Sequence, residues 1–150
     1  PLRPENIDAL AEFRAHSPVP VATGEMLYTA FGFRELLEKR GADIIQPDVC
    51  ICGGLLEMKK IAAMADVYEM NVAPHNFYGH LASLMSAHFC AAIPNYRIME
   101  YEVDDVPWKD ELVTVPPVIE NGELLVPMTP GWGADVNEAA VKAHPPRPKR

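Results

Sequence analysis

Short apolar runs alternate with longer amphipathic stretches along most of this chain. The apolar runs predict four strands, at 19–22, 44–46, 72–74 and 96–101. The other stretches keep near-helical spacing of apolar residues and predict helices at 6–15, 28–40, 55–69 and 79–89. In the second helix we expect Phe31, Leu36 and Leu37 on the buried side and Gly41 at the C-terminal end.

Repeated strand–helix units predict an α/β fold in which parallel strands are joined by right-handed crossovers and helices pack outside. Four units fit either a small open sheet or half of an eight-stranded barrel, because a complete barrel needs about 250 residues. A flavodoxin-like open sheet would carry a phosphate-cradling loop, and that pattern is not visible in the sequence. The pattern therefore favours half of a TIM-type (β/α) barrel over an open sheet.

The chain changes character after Glu102, and we divide it into a partial barrel at 1–106 and an extension at 107–150. Asn121-Gly122 predicts a β-hairpin over 118–126, followed by a Pro/Gly-rich loop at 127–133. Asp135 is expected to cap a short helix, with Glu138 completing a capping box. The proline-rich basic stretch at 144–150 is expected to be a frayed tail.

Composition narrows the possible functions. The formal net charge of −8 argues against a nucleic-acid partner, which requires clustered Lys and Arg. The sequence shows neither an apolar run long enough to cross a bilayer nor a signal-peptide pattern. Cys50, Cys52 and Cys90 lack zinc-type spacing and are expected to be buried thiols, which favours the cytoplasm.

Four polar residues lie at the ends of apolar runs. They are Glu25, Asp48, His75 and Glu100, separated by 23, 27 and 25 positions. Parallel α/β folds place their chemistry at the carboxyl ends of the strands, so these residues are predicted to form one rim. The Glu25 carboxylate would suit Mg2+, although an exposed glutamate in the first turn of a helix is the alternative. Glu100 taken alone is equally consistent with a plain strand-end glutamate.

Asp48 and His75 lie one unit apart and should be neighbours on adjacent parallel strands. A carboxylate beside an imidazole orients the ring and makes it a competent general acid or base. The alternatives are a turn-capping role for Asp48 and a backbone-bonded histidine at 75. The loops after the strand tips also carry Tyr28, Asn76 and Tyr78, which are expected to line a substrate pocket.

Five segments, in their order and spacing, resemble the mandelate racemase group of the enolase superfamily, and within it the acid-sugar dehydratases of the galactonate, gluconate and mannonate type. They are VATGE at 21–25, DIIQPD at 43–48, GGLLEMKKIA at 53–62, VAPH at 72–75 and IME at 98–100. The PGWG segment at 130–133 is also similar to the C-terminal part of that family. A lysine at position 48 would have suggested the muconate-cycloisomerase-like group instead.

The resemblance implies a modified TIM barrel with a separate capping domain. It implies that this chain is the C-terminal half of that barrel. It also implies that Glu25 is the last of three acidic Mg2+ ligands, that Asp48 orients His75 as general acid/base, and that Glu100 is a carboxylic acid that hydrogen-bonds an enolate oxygen. The implied reaction is Mg2+-dependent dehydration of an acid sugar through an enediolate, giving a 2-keto-3-deoxy acid. Alternatives are a racemase or epimerase using the same enediolate, and a non-catalytic, degenerate family member.

The first residues, PLRP, are similar to the segment that follows the strand of the second metal ligand. We therefore expect the chain to be the C-terminal portion of a longer protein and to be inactive by itself. The resemblance also suggests a homo-oligomer when the protein is full length.

Overall fold

The structure, a computed structural model, describes residues 2–103 and 106–146. Helices and strands alternate through the first ninety residues, and a mixed segment follows them. The elements are α1 (Ile7–His16), β1 (Ala22–Thr23), α2 (Thr29–Glu38), β2 (Ile44–Ile45), α3 (Leu55–Val67), β3 (Asn71–Val72), α4 (His80–Ala91), a 3-10 turn (Asp110–Leu112), β4 (Ile119–Glu120), β5 (Glu123–Leu124) and α5 (Glu138–Ala143).

The first three strands form a parallel sheet in sequence order, with helices in the connections. Ala22 pairs with Ile44, and Ile44 pairs with Asn71, so all three strands run in register. The main core lies between this sheet and the helices, and includes the buried side chains of Phe33, Leu36, Leu37, Ile45, Met58, Ile61, Val72 and Phe89. The predicted α/β class with parallel strands and outer helices is confirmed.

All four predicted strands differ in extent from those observed. β2 and β3 differ from the predicted 44–46 and 72–74 by one or two residues, and the other two differ more. The first begins at Ala22 rather than at Val19, whose side chain is 64% exposed. Pro20 has no N–H, and the Val21 N–H is taken by the Asp43 carboxylate at 2.8 Å, so neither residue can donate to a strand ladder. The strand predicted at 96–101 is reduced, among the described residues, to one bridge between Val72 and Tyr96.

The buried face of α2 also differs from the prediction. Phe33 is fully buried, whereas Phe31 is 80% exposed. Phe33, Leu36 and Leu37 are spaced i, i+3 and i+4 and therefore share one face of the helix. Phe31 precedes Phe33 by two positions, which is a rotation of about 200° around the helix axis and places it on the opposite side. The prediction for Leu36 and Leu37 was right, and the prediction for Phe31 was wrong because Phe33 fits the same periodicity better.

The end of α2 is closed by Arg40 rather than by Gly41. Arg40 has φ of 51° and takes the left-handed position, while the Gly41 N–H donates to the Leu36 carbonyl at 2.9 Å. A Cβ at position 41 would lie 2.8 Å from Cδ1 of Leu36, so a larger residue there would have to displace that side chain.

In the C-terminal segment the predicted hairpin is confirmed. β4 and β5 are antiparallel, and Asn121 and Gly122 have φ of 54° and 82°, as a two-residue type I′ turn requires. The predicted cap of the last helix was wrong: Asn137, not Asp135, accepts a hydrogen bond from the Ala140 N–H. The predicted tail lies partly outside the described residues, and the division of the chain at 106 stays a prediction.

Across the described parts of the chain, no helix has the length and apolar character needed to cross a membrane.

The Asp43 side chain, just before β2, hydrogen-bonds to α1 and to the residue before β1. Its Oδ1 accepts from the Arg14 guanidinium in α1 at 2.5 and 2.8 Å, and its Oδ2 accepts from the Val21 N–H. The hydrogen bond to Arg14, followed by the one to Val21, holds the pKa of Asp43 below its ordinary value.

The two phenylalanines of α2 provide a test of the packing. Phe33→Ala in the full-length protein should lower the free energy of unfolding by about 3–5 kcal/mol, because it leaves a cavity in the core. Phe31→Ala is the matched control and should change it by about 0.5 kcal/mol or less. Denaturant unfolding would compare them, and equal losses would contradict the assigned face.

Asp43 predicts a pH dependence of stability. Its pKa is lowered on folding, so its contribution is present above the unfolded pKa of about 3.9 and is lost as pH falls through the folded value. Asp43→Asn should therefore destabilise the protein most at neutral pH, and the difference from wild type should shrink below about pH 4. Unfolding curves over this range would measure it. Asp8, an exposed partner of Lys39, is the control: Asp8→Asn should have little effect at any pH.

Candidate active site

The parallel register brings the predicted polar residues to one end of the sheet. Glu25, Asp48 and His75 follow the last paired residues of β1, β2 and β3 by two or three positions, and Glu100 follows the bridge at Tyr96 by four. Gly24 has φ of 126°, which lets the backbone turn sharply before Glu25. A Cβ at Gly24 would lie 2.9 Å from Cε1 of Phe33, so the turn is also tightly packed.

The shortest polar contact in this region joins Asp48 and His75. His75 Nδ1 lies 2.5 Å from Oδ2 of Asp48, whose side chain is fully buried. The other carboxylate oxygen, Oδ1, accepts from the Cys50 N–H at 2.7 Å. Because a carboxylate only accepts hydrogen bonds, the proton of this contact belongs on Nδ1. In the neutral ring, Nε2 then carries the free lone pair.

Two further carboxylates face that lone pair. Nε2 of His75 lies 3.8 Å from Oε2 of Glu25 and 3.7 Å from Oε2 of Glu100. The Glu25 and Glu100 side chains are 50% and 45% exposed. The four residues predicted to form one rim therefore meet around a single imidazole. Such an arrangement can accept a proton at Nε2 and stabilise the resulting cation by Coulomb attraction.

Tyr78 packs beside the histidine. Its ring meets the His75 ring edge-on, with centroids 6.2 Å apart and an interplanar angle of 88°. Burial raises the pKa of Tyr78 to about 12, and its hydrogen bond to Asp48 and the negative charges nearby add to the shift. The phenol is therefore a neutral hydrogen-bond donor at physiological pH. Tyr28 lies exposed at the residue before α2, and its predicted substrate contact stays a prediction.

Asn76 does not lie where a substrate-contacting side chain would. It is fully buried, and its Nδ2 donates to the Glu100 carbonyl at 3.1 Å and to Oγ of Ser83 at 3.0 Å. Its placement corrects the expectation that its side chain lines the substrate pocket. Ser83, in α4, was missed by the sequence reasoning. Its seven-residue separation from Asn76 crosses a loop and a helix end, and no local pattern signals such a contact.

Glu25 was predicted to bind Mg2+, and its half-exposed carboxylate offers the hard oxygen that this ion prefers. Within 2–103 and 106–146, however, no group of three or more His, Cys, Asp or Glu side chains could hold a metal ion. The described residues therefore fit one ligand of a magnesium site and do not form a complete one.

The cysteine thiols and a second histidine–aspartate pair are not part of the cluster formed by Glu25, Asp48, His75 and Glu100. All three cysteines are free, and Cys50 is exposed, contrary to the prediction that all are buried. Burial raises the pKa of Cys52 to about 11 and that of Cys90 to about 12, so neither thiol is a nucleophile at neutral pH. His80 in α4 lies 2.6 Å from Oδ1 of Asp110, which connects the helix to the C-terminal segment.

The fold and the site define an α/β barrel segment whose strand ends carry a histidine–aspartate pair between two glutamates. The family model "Enolase C-terminal domain-like" matches residues 1–140. The chain belongs to this family, and the predicted TIM-type barrel architecture, incomplete in the described residues, is confirmed.

Similar proteins span several chemistries. The chain is 40% identical over 144 residues to D-xylonate dehydratase of Haloferax volcanii, covering 96% of this chain and 35% of that protein. It is 33% identical to D-galactarolactone cycloisomerase of Agrobacterium fabrum, covering 94% and 39%. It also matches the structure of a provisionally named L-alanine-DL-glutamate epimerase of Burkholderia xenovorans, bound to magnesium and fumarate. That match has a TM-score of 0.90 at 45% identity and covers 95% of this chain and 35% of the other.

The chain thus spans between 35% and 39% of the length of these proteins. The resemblance to the enolase superfamily is confirmed at the level of the family, and its members include both dehydratases and isomerases.

The tautomer of His75 gives a test that does not depend on activity. In Asp48→Asn, the amide oxygen should keep the bond to the Cys50 N–H, which places the NH2 group opposite Nδ1 of His75. The neutral ring should then carry its proton on Nε2 instead of Nδ1. Side-chain nitrogen NMR shifts of His75 in the full-length protein would report the change.

Asp110→Asn is the control for this experiment, because it makes the same change at the His80 pair. It should leave the His75 signals as they are in the wild type. An unchanged His75 tautomer in Asp48→Asn would contradict the assigned role of Asp48.

Proposed function

We propose that the full-length protein containing this chain dehydrates an acid sugar, and that Mg2+ is its cofactor. The observation that carries the proposal is the 2.5 Å contact between a fully buried Asp48 and Nδ1 of His75, which leaves Nε2 facing Glu25 and Glu100. The family of the chain and the likeness to D-xylonate dehydratase support it.

In this proposal His75 is the general base. Its Nε2 removes the proton alpha to the substrate carboxylate, and the electron pair of that C–H bond forms an enediolate. Asp48 holds the ring in the tautomer that makes Nε2 available, and it stabilises the imidazolium that results. Because the ring now carries the proton, the same nitrogen can act as the acid in a later step.

Glu100 is proposed to act as a carboxylic acid in the complex with substrate, and to donate a hydrogen bond to the oxygen on which negative charge develops. Its Oε2 lies 3.7 Å from Nε2 of His75, so both groups can reach one small substrate. Glu25 is proposed as one ligand of Mg2+, with the other ligands supplied by residues outside this chain. When bound, the ion would supply positive charge to offset the developing dianion.

The second half of the reaction expels the 3-hydroxyl group. The imidazolium of His75 gives its proton to that oxygen, the C–O bond breaks, and water leaves. Tautomerisation of the resulting enol gives a 2-keto-3-deoxy acid. The atoms balance as substrate minus one water molecule, and no oxidant or reductant is needed.

A racemase or epimerase is the second candidate, favoured by the likeness to the structure named as an L-alanine-DL-glutamate epimerase. It would form the same enediolate and return the proton to carbon rather than expel a hydroxyl group. A non-catalytic, degenerate member is the third reading. The close approach of the four polar residues argues against it.

We also propose the partners, cellular location and assembly of the full-length protein. The partner is a small carboxylate, with neither nucleic acid nor membrane involved, and the full-length protein is a cytoplasmic homo-oligomer. The isolated chain of 150 residues is proposed to be inactive. Its described residues offer one candidate metal ligand at the site.

The proposal is tested with the full-length protein, Mg2+ and a set of acid sugars, assayed for 2-keto acid. His75→Asn should lower turnover by about 100- to 10,000-fold, because it removes the general base. Exchange of the alpha proton with D2O, dependent on His75 but without keto acid, would indicate the epimerase instead. Removal of Mg2+ by a chelator should abolish activity in both cases.

His80→Asn is the matched control, because it removes a histidine from another histidine–aspartate pair of the chain. It should retain most of the wild-type turnover. Equal losses in His75→Asn and His80→Asn would indicate a general effect on folding and would contradict a specific role for His75.

A further inference from the structure

Asn76 directly follows the proposed base and has a fully buried side chain. A buried amide must find hydrogen-bond partners. Its Nδ2 donates to the backbone carbonyl of Glu100 at 3.1 Å and to Oγ of Ser83 at 3.0 Å. The side chain therefore connects the loop after β3 both to α4 and to the segment that carries Glu100.

The main chain of Asn76 makes a second contact with the same glutamate. The Asn76 N–H donates to Oε2 of Glu100 at 2.9 Å. This is the oxygen that lies 3.7 Å from Nε2 of His75. One residue thus holds both the backbone and the carboxylate of Glu100, and its covalent neighbour is His75.

Regular strand hydrogen bonds do not by themselves hold the segment that carries Glu100. The last bridge that the structure describes before it is at Tyr96, and the Glu100 N–H reaches the Pro74 carbonyl only at 3.3 Å. A strand ladder with regular hydrogen bonds would fix the carboxylate by itself. Here the last described bridge lies four residues before Glu100, and the buried Asn76 amide supplies the hydrogen bond that holds the Glu100 backbone in place.

We propose that Asn76 is a positioning residue that sets the distance between the Glu100 carboxylate and the His75 ring. Its consequence for turnover rests on the proposed function, since it matters only where Glu100 and His75 act on one substrate. The positioning itself is a property of the structure and can be tested without an assay.

The kinetic test uses Asn76→Ala and Asn76→Asp in the full-length protein with Mg2+ and a turned-over acid sugar. Asn76→Asp keeps the size of the side chain but replaces its two donors by acceptors, and it serves if the alanine variant fails to fold. We expect kcat to fall about 100-fold, as for a displacement of about 1 Å in a catalytic group. KM should stay within about threefold, because the amide itself does not touch the substrate.

Asn95 provides a matched control. It is a second buried asparagine, and its Nδ2 likewise donates two hydrogen bonds, here to the backbone carbonyls of Ala62 and Met70 at 3.1 and 3.0 Å. Asn95→Ala should lower stability as Asn76→Ala does, but the folded protein should keep its kcat. Similar losses of kcat in both variants would reduce the role of Asn76 to folding and overturn the proposal.

A double-mutant cycle isolates the coupling to Glu100. If Asn76 acts through Glu100, then Asn76→Ala should have little further effect on kcat in a Glu100→Gln background, because the group that it positions is already changed. Losses that multiply independently would show that Asn76 acts through another route and would contradict the assignment.

A crystal structure of the full-length Asn76→Ala protein separates this proposal from the proposed reaction. The Glu100 carboxylate should move by about 1 Å or more away from Nε2 of His75. An unchanged distance overturns the positioning role whatever the activity. A displaced carboxylate in the variant, together with a wild-type protein that turns over no acid sugar, supports the positioning role and overturns the proposed function.

Discussion

The site depends on the hydrogen bond between Asp48 and His75. A carboxylate removed from water is costly unless its oxygens are paired, and Asp48 is fully buried. The Cys50 N–H satisfies one oxygen and His75 Nδ1 satisfies the other. The bond at Nδ1 orients the imidazole, and in that orientation Nε2 faces Glu25 and Glu100.

The sheet places these residues approximately, and polar contacts place them closely. The ladder of β1, β2 and β3 is only two residues long in each strand, and the polar side chains lie beyond its end. Backbone pairing brings the strand tips together, since parallel strands in register end at one edge. Asp48, Asn76 and the N–H of Cys50 then fix the geometry. A polar substitution at the site should therefore reduce activity more than a core substitution that costs the same free energy of unfolding.

Much of this arrangement can be predicted from the sequence, because it follows from periodicity and order. Apolar runs that end in Glu25, Asp48 and His75 predict the strands and the rim, and Asn121-Gly122 predicts the hairpin. The exposure of Phe31 could not be predicted with certainty, because two phenylalanines two positions apart compete for one face of α2. The early end of the ladder at Tyr96 and the partners of Asn76 depend on tertiary contacts that no local pattern encodes.

The charges of the cluster support the different roles proposed for the two glutamates. Three carboxyl groups surround one imidazole, and an anionic substrate entering this cluster would meet repulsion from them. Asp48 is committed to the Cys50 N–H and the imidazole, and Glu100 accepts from the Asn76 N–H. The ionic contact described for Glu25 is the longer one to Nε2, at 3.8 Å, and half of its side chain is exposed. Of the three, Glu25 therefore has the most capacity to bind a cation. In the proposed function, a cation there would offset the repulsion of a substrate carboxylate and would leave Nε2 free to take the proton.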